Sequence, residues 1–365
     1  MKIKLRQAFD LQMGKTPARN RPDYWNGDHK WISIADIGNA GKILTKTKES
    51  ITEAGIDGSG IKVVPQGTVI MSFKLSIGKT AITSEDMYTN EAIMAFIDNG
   101  KFAVDTDYLY HLCCGTNWTA GTNKAVMGLT LNKATLLEKE IPLPDINEQH
   151  EIATKLDKID AIIAERQQQL ELIDQAVKSR FIELFGDPQR NPHGYKHTKL
   201  SDIATYYNGL TYKPENVAAE GTIVLRSSNI QNSQLDFADT IRVDCAIKER
   251  LMVQKNDILM CSRNGSAKLV GKVALIKDIQ EPMSFGAFMM IIRSHYFGYL
   301  MTYFQMDAFR QQIKTGATTT INQITGRMLD DVTIPLPPMA LVDQFAAFVE
   351  QTDKSKLCGR MEVAA

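Results

Sequence analysis

The stretch from Pro142 to Pro188 constrains this chain most. No proline or glycine interrupts Asp145 to Phe185, and apolar residues recur at Ile152, Leu156, Ile159, Ile163, Leu170, Ile173, Val177 and Leu184. The steps of four, three, four, seven, three, four and seven form a heptad seam, with Arg166 in the first of its seven-residue gaps. Pro142 and Pro144 before it, and Gly186 and Pro188 after it, are helix start and stop signals. A helix of this length would extend ~60 Å at 1.5 Å per residue. A narrow apolar stripe on so long a helix calls for a partner helix, because packing rather than propensity stabilises such a segment.

The same chain supplies that partner. Ile334-Pro335-Leu336-Pro337 repeats the opening Ile141-Pro142-Leu143-Pro144. Beyond it, Phe345, Val349 and Thr352 fall at the offsets of Ile152, Leu156 and Ile159, and Asp353 matches Asp160. Lys356 stands where Ile163 would be, and the heptads stop there, so the second helix is expected to be shorter and weaker. Two equivalent helices with equivalent openings suggest two globular units held apart by an antiparallel helix pair.

The 365 residues suffice for two cores. The apolar fraction of 44% and charged fraction of 23% are ordinary for a globular protein, so neither disorder nor a fibrous fold is indicated. The 42 basic and 42 acidic residues cancel, so only local clusters could signal nucleic acid. The cysteines Cys113, Cys114, Cys245, Cys261 and Cys358 show no CxxC spacing, which argues against zinc, and their odd number fits a reducing compartment. The start MKIKLRQAFD lacks a signal-peptide core, and no apolar run reaches membrane-spanning length. A cytoplasmic chain without membrane contact is expected.

The two units repeat one plan. Lys4-Leu5 with Gly14 is echoed by Lys199-Leu200 with Gly209, and a strand expected over Trp31–Ile37 by one over Val224–Ile230. In the next stretch Met71, Lys74 and Gly78-Lys79 lie opposite Met260, Arg263 and Gly271-Lys272. Both units read as mixed α/β with polar loops, the pattern of a duplicated scaffold whose loops have diverged.

No catalytic motif emerges. Gly78-Lys79-Thr80 resembles the end of a phosphate loop, but Phe73 occupies the required glycine position and strands flank it; Gly271-Lys272 is followed by Val273. No glycine-rich cofactor loop follows a strand, Asn191-Pro192-His193 does not fit an amino-methyltransferase motif, and the six histidines show no metal-ligand pairing. The loops instead carry groups suited to DNA. Arg and Lys read guanine, Asn and Gln read adenine, and Lys, Arg, Ser and Thr hold phosphates. In the second unit these are Arg226, Ser228, Asn229, Arg263, Asn264, Lys268, Lys272, Thr319, Asn322 and Gln323; in the first, Arg19, Arg21, Lys74, Lys79, Asn117, Trp118, Asn123 and Lys124.

The two Ile-Pro-Leu-Pro openings, the helix EQHEIATKLDKIDAIIAERQQQLELIDQAVKSRFIELFGDP, its VDQFAAFVEQTDKSK copy, and the segments LRSSNI and NDILMCSRNGSAKLVGKVALI resemble the specificity subunits of type I restriction-modification systems. The resemblance spans nearly the whole chain. It implies an α/β fold with two target-recognition domains separated by long antiparallel coiled-coil helices: residues 1–142, a central helix over 143–187, residues 188–336, and a short distal helix over 337–365. It further implies that each domain reads half of a split double-stranded DNA site. The helices would set the spacer and dock methyltransferase subunits, two in number, joined by two restriction subunits. The chain itself would be non-catalytic and hold no cofactor or metal; S-adenosylmethionine, ATP and Mg would act in the partners. A protein-only coiled-coil adaptor, and a recognition domain fused to a degenerate methyltransferase, remain as alternatives on the residues alone.

Overall fold

A computed structural model describes residues 1–74, 76–119, 131–313 and 322–364, with side chains as far as Lys356. The chain divides into two compact units, Met1–Ala164 and Glu165–Ala365. The central helix, Ile146–Phe185, gives its first half to one and its second half to the other. It begins three residues inside the expected 143–187, after Pro144, with Asp145 Oδ1 accepting from the amides of Asn147 (3.0 Å) and Glu148 (3.1 Å).

In the first unit a five-stranded sheet runs in the order Phe9–Met13, Ile93–Asp98, Val69–Ser72, Thr80–Thr83, Ile43–Leu44. A three-stranded sheet places Trp25–Ile32 between Glu49–Ile51 and Tyr88–Thr89. The strand expected over Trp31–Ile37 therefore lies earlier. It stops because Ser33 and Asp36 form a capping box, Ser33 N donating to Asp36 Oδ2 at 2.8 Å, which starts the helix Ile34–Asn39. The first turns of the central helix dock on the unit's core through Ile152 and buried Ala153. Buried Gln149 fastens that contact, donating to Ala103 O (3.1 Å) and Pro144 O (2.9 Å) and accepting from Asp105 N (2.9 Å). Farther along, Ile159 of the expected seam stands 51% exposed.

In the second unit one four-stranded sheet orders Thr205–Asn208, Met289–Arg293, Ile258–Cys261, Val273–Leu275. Another orders Val217–Ala218, Arg242–Val243, Thr222–Leu225, Met283–Phe285. The strand expected over Val224–Ile230 ends at Leu225 for the reason found at Ser33: Arg226 N donates to Asn229 Oδ1 (2.8 Å), and a single 3-10 turn follows.

The C-terminal helix runs Met339–Ala364, 26 residues, longer than the heptads suggest. It pairs antiparallel with the second half of the central helix. Its Phe345 meets Phe181 and Phe185, while Lys356, farther along, forms an ion pair with Asp174, nearer the start of the other helix. Lys356 replaces an apolar seam residue yet is 13% exposed, because the partner carboxylate accepts its charge. Phe345 is buried as expected; Val349 and Thr352 are half-buried, as are Leu170, Ile173 and Val177. Phe181 and Phe185, outside the seam, are fully buried against Tyr299 of the helix Phe297–Tyr303, with ring centroids 5.0 Å away in both cases.

The duplication is visible bond by bond. Lys2–Lys4 pairs with Glu140–Pro142, and His197–Lys199 with Thr333–Pro335. Tyr108 Oη donates to Pro142 O at 2.9 Å, and Tyr299 Oη to Pro335 O at 3.0 Å. Gly14 and Gly209 are both required by close approach. A Cβ on Gly14 would lie 2.0 Å from Thr89 O, and one on Gly209 2.2 Å from Gly286 O.

Candidate nucleic-acid interface

The polar loops grow from equivalent strand ends. Met71 faces Met94 across its sheet as Met260 faces Met290. Immediately beyond, Phe73 N donates to Ala92 O (3.0 Å), and Ser262 N to Phe288 O (2.9 Å). The turns then close alike: Gly78 N to Ser72 O and Gly271 N to Cys261 O, both 2.9 Å, with φ of +91° and +82°. Lys74 and Arg263 thus occupy one geometric position, and so do Lys79 and Lys272. Gly78-Lys79-Thr80 lies in a turn leading into the strand Thr80–Thr83, which is no phosphate loop.

In the second unit three loops meet. Arg263 and Gln323 form an isolated antiparallel bridge. Asn264 N donates to Asn322 O (3.3 Å), Ile324 N to Ser262 O (2.7 Å), and Asn264 Nδ2 to Ser227 Oγ (3.4 Å). Lys272 Nζ donates to Ile230 O at 3.1 Å. Arg263, Gln323 and Lys268 are exposed. Asn229 differs from the expectation of a base-reading amide. It is buried, and its Nδ2 donates to Asp236 O (2.8 Å) and Asp239 O (2.9 Å), so it braces the loop that presents Arg226. Arg226 Nη2 lies 2.7 Å from Asp239 Oδ2, but the geometry makes this a charge contact rather than a hydrogen bond. Its Nε and the hydroxyl of Ser228 are buried without hydrogen-bond partners among the described residues. Burying polar groups without partners costs stability, so these groups gain most from a polar ligand that would satisfy them. Thr319 lies outside the described residues.

In the first unit Arg19 is held by Glu49, with Nη2 3.1 Å from Oε2, and its guanidinium stacks 3.9 Å from the Trp25 ring centroid. The Glu49 hydrogen bond raises its pKa above the ordinary arginine value. Arg21 is engaged by Asp23 at 2.9 and 2.7 Å. Glu91, hydrogen-bonded by Thr16 and faced by Lys74 and Arg19, has its pKa held below the usual carboxylate value. Arg19 and Lys74 therefore share one acidic neighbour, and Lys79 is exposed near Gly38. Asn117 is exposed and caps its own loop, accepting from Thr119 N at 3.2 Å. Trp118 is a core residue, 3% exposed, its indole N–H donating to Cys113 O at 2.8 Å, so its ring is not available for stacking on bases. Asn123 and Lys124 lie outside the described residues.

Sequence reasoning passed over Phe288, which is 59% exposed, with the Arg263 guanidinium carbon 5.5 Å from its ring centroid. The sequence signal was an aromatic beside Gly286-Ala287 at a strand turn. Among the described residues no group of His, Cys, Asp or Glu is arranged to hold a metal, and no helix is long and apolar enough to cross a membrane.

Duplicated scaffolds with polar loops on equivalent strand ends, joined to a heptad helix, define a class of two-headed recognition proteins. A family model described as the type I restriction modification DNA specificity domain matches residues 1–173 and again 192–357. The chain belongs to that family, the DNA-specificity subunits of type I restriction-modification systems. It is 24% identical over 378 residues to the type I restriction enzyme MjaIX specificity subunit of Methanocaldococcus jannaschii, covering 95% of this chain and 85% of that one. It is 28% identical over 178 residues to the EcoKI specificity subunit of Escherichia coli, covering 45% and 38% respectively. The fold is similar to the S subunit from M. genitalium, with TM-score 0.53, 15% identity, and 100% and 92% of the two chains covered. It is also similar to a chain solved in work on complex assembly and conformational transition of the type I R-M system, with TM-score 0.55, 17% identity and the same coverage.

Proposed function

We propose that each unit reads one half of a bipartite double-stranded DNA site in the major groove. The observation that carries this is the positional equivalence of Lys74 with Arg263 and of Lys79 with Lys272 on matching strand ends and glycine turns. One scaffold presents cationic side chains at the same two places, while the surrounding residues differ between units, as two different half-sites require. Arg263 with Gln323 supplies guanine- and adenine-type readers; Lys272, Lys268 and Lys79 supply phosphate contacts. The central and C-terminal helices set the half-site spacing, since linked modules gain effective concentration only at a matching separation.

Methyltransferase subunits, two per specificity chain, dock on these helices, and two restriction subunits join them. Adenine methylation with S-adenosylmethionine and ATP- and Mg-dependent cleavage take place in those partners, and this chain supplies no cofactor or catalytic group. The assembly works in the cytoplasm.

The test is a genome-wide map of methylated adenines in cells with and without this chain, the methyltransferase partner being present in both. A split motif that depends on the chain is the expected result. An unchanged map together with DNA binding that ignores salt would overturn the proposal in favour of a protein-only adaptor.

A further inference from the structure

Phe288 has the highest exposure of any large apolar side chain among the described residues of the second unit. Its backbone is nonetheless firmly held. It stands in the turn between Met283–Phe285 and Met289–Arg293, and its carbonyl accepts from Ser262 N (2.9 Å), Arg263 N (3.1 Å) and Ser262 Oγ (3.0 Å). Three donors from the Arg263 loop thus fix the backbone from which the ring extends, and its exposure is not fraying. The scaffold does not require it either. The matching residue of the first unit, identified by the Phe73 N to Ala92 O bond, is Ala92, which is 7% exposed. An apolar ring tethered beside Arg263 at the edge of an Arg, Asn and Gln loop cluster gains burial only when something covers it.

This inference rests on the DNA-reading function proposed above. The apolar feature that a major groove offers is the thymine C5-methyl group, which lies among the acceptors and donors that Arg and Gln read. We propose that Phe288 is a specificity-determining residue of the second unit, taking the methyl group of a thymine next to the base pair read by Arg263. The first unit, with Ala92 at this position, has no counterpart.

The experiment uses the full chain assembled with its methyltransferase subunits, after its motif has been mapped. Each thymine of the second half-site is replaced singly by deoxyuridine, which removes only the methyl group. One such replacement should weaken binding by about fourfold, the worth of one buried methyl-sized group. It should have no effect on the Phe288→Ala chain, whose motif accepts other bases at that position while its melting temperature stays unchanged. Phe288→Leu, which keeps apolar bulk, should retain the methyl sensitivity and covers the case in which the alanine chain does not fold. Insensitivity of the natural chain to every deoxyuridine overturns the proposal while leaving the DNA-reading function intact. So does a Phe288→Ala chain that is weaker on all sequences alike, which would mark a wedge between base steps. Absence of any half-site preference in the natural chain overturns both.

Discussion

Phe345 meets Phe181 edge-on, with ring centroids 5.5 Å apart and planes at 79°. The opening of the C-terminal helix and the end of the central helix thereby share the core of the second unit, together with Tyr299 and Phe304. Phe345→Ala removes a ring with no measurable exposure and should cost roughly 3–5 kcal/mol. Denaturant unfolding of the purified chain should show the second unit melting earlier while the first keeps its midpoint.

The Asp157 carboxylate anchors the first half of the central helix. It contacts Lys42 Nζ, which also reaches Asp107 at 2.7 Å, and it lies 2.8 Å from His111 Nε2. Partial burial pushes its pKa up, but the bonds to Lys42 and His111 outweigh this and hold it below the ordinary aspartate value. A depressed folded-state pKa contributes stability that is present above the unfolded value, about 4, and is lost as pH falls through the lower folded value. Asp157→Asn should cost on the order of 1 kcal/mol at neutral pH. The gap between natural and variant chains should narrow as pH drops below about 4, in melts monitored at several pH values.

Arg263→Ala should relax base choice in one half-site by about 1–3 kcal/mol and leave the other half-site unchanged. Methylation motifs of the variant read this directly. Equal loss at both halves would argue against two independent reading heads.

Lys272→Ala should behave differently. Loss of the phosphate contact proposed for it should weaken all sequences alike and lower the slope of log affinity against log salt by about 1. Titrations at several salt concentrations check it.

Insertion of four residues near Arg166, about one helical turn, with a matching insertion in the C-terminal helix, should lengthen the preferred spacer between half-sites. Motif mapping of the doubly extended chain measures this, and an unchanged spacer would sink the ruler idea.

Much of this architecture was legible in the residues. The seven-residue period and the absence of proline and glycine located the central helix, expected over 143–187 and running Ile146–Phe185. The doubled Ile-Pro-Leu-Pro openings and the paired glycines exposed the duplication, because close backbone approach at Gly14 and Gly209 tolerates no other residue. What escaped depended on contacts distant in sequence. Alternating apolar residues at Trp31–Ile37 imitated a strand, although the Ser33 and Asp36 capping pair was present and ended it. Phe181 and Phe185 lie off the heptad seam, packed between Phe345 of the C-terminal helix and Tyr299 of the helix Phe297–Tyr303, a contact that no heptad count announces. At the site, residue type alone could not separate Arg263, which reaches outward, from Asn229 and Trp118, which are consumed in holding the loops and the core. The length of the C-terminal helix exceeded its visible heptads because a charged Lys356 is tolerated where Asp174 meets it.

The bonds that pin the Arg263 loop come largely from the main chain: Ser262 N and Arg263 N to Phe288 O, Asn264 N to Asn322 O, Ile324 N to Ser262 O. Such bonds are indifferent to which side chains the loop carries. Mutation can therefore rewrite the outward residues without unfolding the platform beneath them, and on the function proposed above each rewriting would change the half-site that is read. A lineage could in this way acquire a new recognition sequence by a handful of substitutions, inheriting the rest of the molecule untouched.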